Sequence, residues 1–170
     1  AFAYWELRYD YGWPAPVALV LVLFVLAPLF GALIERVIFR GLDNVSEVTK
    51  LVVSISLLFG VYQGAILLFP PGEARLMPGF FSGRTIDLGI YDLTYHEAII
   101  IGAAILTAIG LRVLLFRTRT GLTMRSVVDD RALAQLNGAR PNRASMQAWA
   151  IGAVLAALAG ILLAGSQGAV

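Results

Sequence analysis

Apolar runs with few charged residues alternate with short polar blocks along the chain, and four of the runs are long enough to cross a bilayer. A helix needs about 20 apolar residues to span the hydrocarbon core. The runs predict membrane-spanning helices at about 15–34, 48–69, 95–116 and 145–169. We therefore predict an all-α integral membrane protein, with one partial transmembrane domain over residues 1–170.

A second periodicity, with a repeat of two residues, lies between the second and third apolar runs. Apolar Ile86, Leu88 and Ile90 alternate there with Asp87, Gly89 and Tyr91. Alternation of this kind is typical of a half-exposed strand. We expect a short β-hairpin in this connection.

Small residues recur at every fourth position in two of the apolar runs. They are Ser56, Gly60 and Gly64 in the second run, and Gly152, Ala156, Gly160, Ala164 and Gly168 in the fourth. Residues four apart lie on one helix face, and small side chains let two helix backbones approach closely in lipid. We expect these residues to pack against neighbouring helices. The alternative for the fourth run is an Ala- and Gly-rich helix with no particular neighbour.

The longest polar stretch, residues 117–143, separates the third and fourth apolar runs. Asp129 and Asp130 are residue types that cap a helix N-terminus, so a short helix is expected to begin near Arg131. Gly138 tolerates the left-handed conformation that ends many helices, and a proline follows shortly after it. The stretch therefore predicts a short capped helix.

Leu133 and Leu136 lie three residues apart and give this short helix one apolar edge. Such an edge could rest on lipid headgroups, with the nearby arginines binding phosphates. It could equally dock into a groove of another protein. The residues by themselves leave both interpretations open.

Basic residues are distributed unequally between the two ends of the predicted spans. Ten of them fall on one side: Arg36, Arg40, Lys50, Arg112, Arg117, Arg119, Arg125, Arg131, Arg140 and Arg143. Three fall on the other: Arg8, Arg75 and Arg84. The positive-inside rule therefore predicts that residues 117–143 are cytoplasmic and that residues 70–94 and both termini are outside.

Composition limits the chemistry of the chain. There is no cysteine and one histidine, His96, which excludes disulfides, thiolate metal sites and His-cluster metal sites. We find no grouped nucleophile and base and no phosphate-cradling loop, so we predict no catalytic, cofactor or metal site in this chain. His96 and Glu97 fit a solvated helix start better than a proton relay, and substrate contacts stay unassigned.

Three blocks of sequence resemble the inner-membrane permease subunits of bacterial branched-chain amino-acid ABC transporters. The blocks are Ile34-Glu-Arg-Val-Ile-Phe-Arg40, Gly121-Leu-Thr-Met-Arg-Ser-Val-Val-Asp-Asp130 and Leu133-Ala-Gln-Leu-Asn-Gly138. The chain begins at Ala1 and ends inside an apolar stretch, so we expect a fragment of such a permease. Related importers often carry Glu-Ala-Ala in the coupling motif, where this chain reads Asp-Arg-Ala.

The resemblance implies a multi-pass subunit of the bacterial plasma (inner) membrane that couples ATPase closure to alternating access. Its implied partners are ABC ATPase subunits that bind the ATP, a second permease subunit and an extracytoplasmic solute-binding protein, with lipid around it and no nucleic acid. It favours docking for the short helix, with ATPase coupling by Arg125, Asp129, Asp130, Leu133, Leu136 and Gly138.

Three other functions compete with a branched-chain amino-acid importer. The first is an ABC permease for another small solute, such as a sugar or an amide. The second is an ion-coupled secondary carrier, against which the uncharged spans argue because such carriers use ionisable residues inside the membrane. The third is a structural membrane subunit, which would not need a capped cytoplasmic helix.

Overall fold

The computed structural model of the chain describes residues 1–42, 45–70, 75–78, 80, 85–87 and 92–167. The α-helices are α1 (Phe2–Trp5), α2 (Ala15–Leu21), α3 (Ala27–Val37), α4 (Glu47–Leu68), α5 (Tyr95–Arg117), α6 (Arg119–Asp129), α7 (Arg131–Leu136) and α8 (Pro141–Gln167). Two π-helical turns, Glu6–Asp10 and Val22–Leu26, and a 3-10 turn, Phe39–Leu42, join some of them.

Four helical stretches among the described residues are long and apolar enough to cross a membrane. They are Ala15–Leu42, Glu47–Leu68, Tyr95–Arg117 and Pro141–Gln167. These stretches confirm the four predicted spans. The first and fourth helices extend past the predicted bounds, because a helix can continue into the aqueous phase beyond its apolar section and Pro141 fits the first helical position.

Pro28 interrupts the first span without breaking it. Its ring would crowd the carbonyl of Phe24, four residues earlier, and it cannot donate the usual helical hydrogen bond. The π-helical turn Val22–Leu26 widens the helix at this point, and the Ala27 N–H donates to the Val22 carbonyl. The span therefore continues through the proline as α2, the π-turn and α3.

The most extensive helix contact in the described bundle joins α3 to α8, which run antiparallel. Gly31 lies directly against α8, where a Cβ atom would collide with the Trp149 carbonyl oxygen and approach the Ala153 Cβ to 2.8 Å. Beyond the end of α3, the ring centroids of Phe39 and Trp149 lie 4.3 Å apart. The absence of a side chain at Gly31 is what allows the two backbones to approach this closely.

A second group of buried apolar residues lies at the opposite end of α8. Its members come from α1, the first span, the connection after α4, and α8: Tyr4, Ala18, Val22, Leu23, Met77, Ile161 and Ala164. The Trp5 indole N–H donates to the Leu76 carbonyl oxygen at 3.1 Å. The aromatic N-terminal segment is thus held in the bundle by both apolar packing and a hydrogen bond.

Helix α4 stands away from the rest of the described bundle, and none of its residues is buried. A cavity of about 1260 Å³ separates it from α3 and α8. The lining is almost entirely apolar and includes Phe30, Leu57 and Ala153. The described spans therefore form a packed pair, α3 and α8, with α4 set apart from it.

Two short strands lie in the connection before α5. Thr85–Asp87 pairs antiparallel with Asp92–Thr94, so that Ile86 lies opposite Leu93. This is the region in which the sequence predicts a hairpin. Residues 88–91, which would connect the strands, lie outside the described residues, so the hairpin stays a prediction.

The packing of Gly31 predicts that Gly31→Ala destabilises the bundle, whereas Gly152→Ala does not. The added methyl group at position 31 meets backbone that cannot move aside, and such overpacking costs about 1–3 kcal/mol. At Gly152 an added Cβ meets no heavy atom within 4 Å. Thermal unfolding in detergent should show a lower Tm for Gly31→Ala alone, and equal Tm values would contradict this packing.

Candidate functional site

Most of the polar stretch 117–143 is helical, with α6 followed by α7. The sequence predicted only the second of these helices. At the start of α6, the Thr118 hydroxyl accepts a hydrogen bond from the Gly121 N–H at 3.1 Å. A Cβ at Gly121 would collide with the Leu114 carbonyl oxygen, so the lack of a side chain lets α6 fold back tightly on α5.

Helix α7 has the cap and the stop that the sequence predicts. The backbone of Asp130 is extended, and its Oδ1 accepts from the N–H groups of Ala132 (2.8 Å) and Leu133 (2.9 Å). Gly138 has φ of 82°, and its N–H donates to the Gln135 carbonyl oxygen at 2.9 Å. These local bonds hold a six-residue helix that would be too short to persist alone.

One face of α7 is buried against the protein, and the apolar residues of the other face are exposed. Ala134 is 5% exposed, whereas Leu133 is 58% and Leu136 84% exposed. The Arg131 guanidinium donates to the Asn142 Oδ1 at 3.0 Å and so links α7 to α8. An apolar edge held outward on a fixed helix is a feature of protein and membrane interaction sites.

The remaining predicted coupling residues lie on α6. The Arg125 guanidinium lies over the Phe116 ring at 4.6 Å from its centroid, which braces α6 against α5. Asp129 is exposed at the end of α6. The structure therefore gives Arg125, Asp130 and Gly138 roles in shaping this element, while a coupling role for the six residues stays a prediction.

The predicted packing residues divide into two groups. Gly60, Gly64, Gly152 and Ala156 line the cavity beside α4, and the three glycines have no heavy atom within 4 Å of a built Cβ. Ser56 is exposed on α4, Gly160 has only the Ala1 nitrogen within that range, and Ala164 is buried. Gly168 lies outside the described residues. Packing by these residues stays a prediction.

Two closely packed glycines were not among the predicted packing residues. Gly31 and Gly121 make the closest backbone approaches among the described glycines, at the α3–α8 and α5–α6 contacts. Gly121 belongs to no four-residue repeat of small residues, and its local signal was a threonine three positions earlier, which is a common arrangement at a helix start. Gly31 lies four residues after Ala27, so a pair of small residues on one helix face was the signal there.

His96 lies inside the structure, so the expectation of a solvated helix start was wrong for this residue. Its side chain is 5% exposed. The Phe80 N–H donates to Nδ1 at 3.1 Å, and Nε2 lies 3.0 Å from the Leu162 carbonyl oxygen. Because a backbone N–H only donates and a carbonyl only accepts, the imidazole is neutral with its proton on Nε2.

His96 therefore ties the connection at residue 80 to both α5 and α8. Glu97 beside it has a local role, since its Oε2 accepts from the Thr94 N–H at 2.9 Å and completes a capping box. Phe80 also contacts Tyr4 at 6.3 Å between ring centroids. This end of the bundle is closed by specific bonds as well as by apolar packing.

The two bonds of His96 can be separated by substitution. Asparagine places an acceptor near the Nδ1 position and can keep the Phe80 bond, whereas glutamine places a donor near Nε2 and can keep the Leu162 bond. Loss of a buried hydrogen bond costs about 1–3 kcal/mol. Hydrogen exchange of the Phe80 amide should accelerate in His96→Gln and less in His96→Asn; equal exchange in both would refute the assigned tautomer.

The spans, the apolar edge of α7 and the helical pair between the third and fourth spans define a multi-pass integral membrane protein. Comparison with known families is more specific. The family described as branched-chain amino acid transport system / permease component matches residues 2–170. The chain belongs to this family, which confirms the resemblance found in the sequence. It is a membrane protein of the bacterial inner membrane.

Curated relatives carry the same description. BraD of Pseudomonas aeruginosa, a high-affinity branched-chain amino acid transport system permease protein, is 28% identical over 83% of this chain and 47% of its own length. LivH of Escherichia coli K12, named in the same way, is 27% identical over 91% of this chain and 51% of its own. The chain thus spans about half the length of these relatives. No solved structure matches the chain.

Proposed function

We propose that this chain is the membrane-spanning part of an ATP-driven importer for branched-chain amino acids. The observation that carries the proposal is the outward apolar edge of α7, at Leu133 and Leu136, on a helix fixed to the spans. The relatives are named as permease proteins of high-affinity branched-chain amino acid transport systems, which supports the substrate class. ATP would be hydrolysed by a separate ATPase subunit, as the resemblance to permease subunits of ABC transporters implies.

Orientation follows from charge and from the order of the spans. The connection at residues 75–80 and the α6–α7 pair are separated by one crossing, α5, so they lie on opposite sides of the membrane. The arginine-rich side carries α6 and α7, and the positive-inside rule assigns it to the cytoplasm. The paired strands and the His96 tie then belong to the extracytoplasmic side, where a solute-binding protein would deliver the amino acid.

In this proposal, α7 transmits movement of the ATPase to the membrane spans. Its exposed leucines would enter a groove of the ATPase, while buried Ala134 and the Arg131–Asn142 bond hold the opposite face to the permease. Helix α6 packs on both α5 and α8. A displacement of α7 would therefore move the inner ends of two spans together, as alternating access requires.

The cavity beside α4 suits a transport cycle in which helices change their neighbours. Small residues on α4 and α8 face it, including Gly60, Gly64 and Gly152. Helix surfaces without large side chains can approach closely or take in another helix. The second permease subunit, or movement of α4 toward α8, would fill this space during the cycle.

Substitution of both exposed leucines tests the coupling surface. Leu133→Asp/Leu136→Asp places two carboxylates on the docking edge without altering the buried face of α7. We expect loss of ATPase binding and of ATP-driven uptake in the assembled transporter, with the amount of permease in the membrane unchanged. The matched control is Leu133→Met/Leu136→Met, which keeps the edge apolar and should retain both activities.

One result would remove the proposal, and a second would show that the variants disturb the fold. Normal ATPase binding by the aspartate variant would mean that the edge does not dock on the ATPase and lies on the lipid surface instead. Loss of binding by the methionine control to the same extent would show that the substitutions disturb the fold and not the docking edge. Uptake of a panel of amino acids by the unaltered transporter would test the substrate class separately.

The cap of α7 provides a second, graded test. Asp130→Ala removes the acceptor for two backbone N–H groups, which costs about 0.5–2 kcal/mol at a helix start. Asp130→Asn keeps an acceptor there. We expect ATPase affinity to fall in the alanine variant and to be retained in the asparagine variant; equal loss in both would mean that the charge of Asp130, and not the cap, contributes to binding.

A further inference from the structure

The end of α5 that leads into α6 carries a small amphipathic cavity. Four residues line this cavity of about 760 Å³: Arg112, Val113, Phe116 and Arg117. At 100° per residue along a helix, the two arginines lie at the edges of a sector about 140° wide, with the two apolar residues between them. The cavity therefore has an apolar floor between two guanidinium groups.

Among the residues that the structure describes, no ion pair joins an arginine of this site to an acidic side chain. The sequence contains no Asp or Glu from residue 98 to residue 128. The ion pair between Lys50 and Glu47 lies on α4 and involves none of these arginines. The Arg125 guanidinium, stacked on the Phe116 ring at 4.6 Å, brings a third positive charge from α6 to the edge of the cavity.

An apolar ridge continues from this cavity along α5. Its members, Ile101, Ile105, Ile109 and Val113, recur at every fourth residue and are all about half-exposed. Residues at this spacing form one row along a helix surface. The row leads from the membrane interior to the two arginines, so apolar and cationic surfaces meet at the depth where phospholipid headgroups begin.

We propose that this cavity is a binding site for one anionic phospholipid. The phosphate lies between Arg112 and Arg117, whose planar guanidinium groups match phosphate geometry with paired hydrogen bonds. The glycerol and upper acyl carbons contact Val113 and Phe116, and one acyl chain follows the ridge toward Ile101. A free phosphate would use the arginines alone and leave the apolar floor and ridge unoccupied.

Bound lipid at this site would stabilise the corner between α5 and α6. Phe116 contributes to the floor of the cavity and is also the ring on which Arg125 of α6 lies. The lipid therefore contacts the base of the helical pair that carries α7. This inference concerns a lipid site and does not depend on which solute or ATPase the protein uses.

The test measures how much phosphatidylglycerol the full chain retains. The protein is reconstituted in vesicles of phosphatidylglycerol and phosphatidylethanolamine, extracted in mild detergent and analysed by native mass spectrometry. Arg112→Gln/Arg117→Gln is compared with Arg140→Gln/Arg143→Gln, which removes the same charge from exposed positions at the start of α8. We expect the first pair to reduce retained phosphatidylglycerol about tenfold or more, and the second to leave it within about twofold.

A second arm separates the lipid from a free anion. Millimolar inorganic phosphate should not displace the retained phosphatidylglycerol, and Ile109→Ser/Val113→Ser, which makes the ridge polar, should reduce retention with all arginines in place. An equal fall in both arginine variants would show diffuse surface charge and overturn the site. Displacement by inorganic phosphate, or full retention by the serine variant, would overturn the lipid as ligand.

Discussion

The close approach of α3 and α8 is the contact on which the rest of the structure depends. In lipid, no hydrophobic force drives two spans together, so their association rests on dispersion contacts and on bonds between backbones that come close. The lack of a side chain at Gly31 allows the two helices to come close at Trp149 and Ala153. Helix α7 lies just before Pro141, at one end of α8. Near the other end of α8, the His96 side chain is hydrogen-bonded to the Leu162 carbonyl oxygen. One helix thus connects features on both faces of the membrane.

This arrangement separates the described bundle into a closely packed part and a loosely packed part. The closely packed part contains α3 and α8, the folded-back α6, and the connection held by Met77, Trp5 and His96. Helix α4 has no buried residue and faces the large apolar cavity. The proposed transport cycle would use both parts, because a movement of α7 would have to reach the spans through close contacts while other helix surfaces exchange partners.

The sequence predicted the features that depend on interactions between residues close together in the chain. Apolar length gave the four spans, and the carboxylate of Asp130 and the backbone freedom of Gly138 gave α7 within its observed bounds. Helix α6 was missed because its polar residues show no apolar run, and its stability comes from packing on α5 through Gly121. The burial of His96 could not be read from its neighbours in sequence either, since its two bonds reach residues 16 and 66 positions away.

In the proposed orientation, the exposed edge of α7 lies in the cytoplasm, on the membrane side opposite the connection that contains Leu76 and Met77. The chain has no cysteine, so single cysteines at Leu136 and at exposed Leu76 can be labelled without background. With a membrane-impermeant maleimide, intact spheroplasts should label the cysteine at 76 and not the one at 136, while inside-out vesicles should label 136. Bound ATPase should then protect position 136. Labelling of 136 from outside, or unaltered labelling with the ATPase bound, would contradict the account.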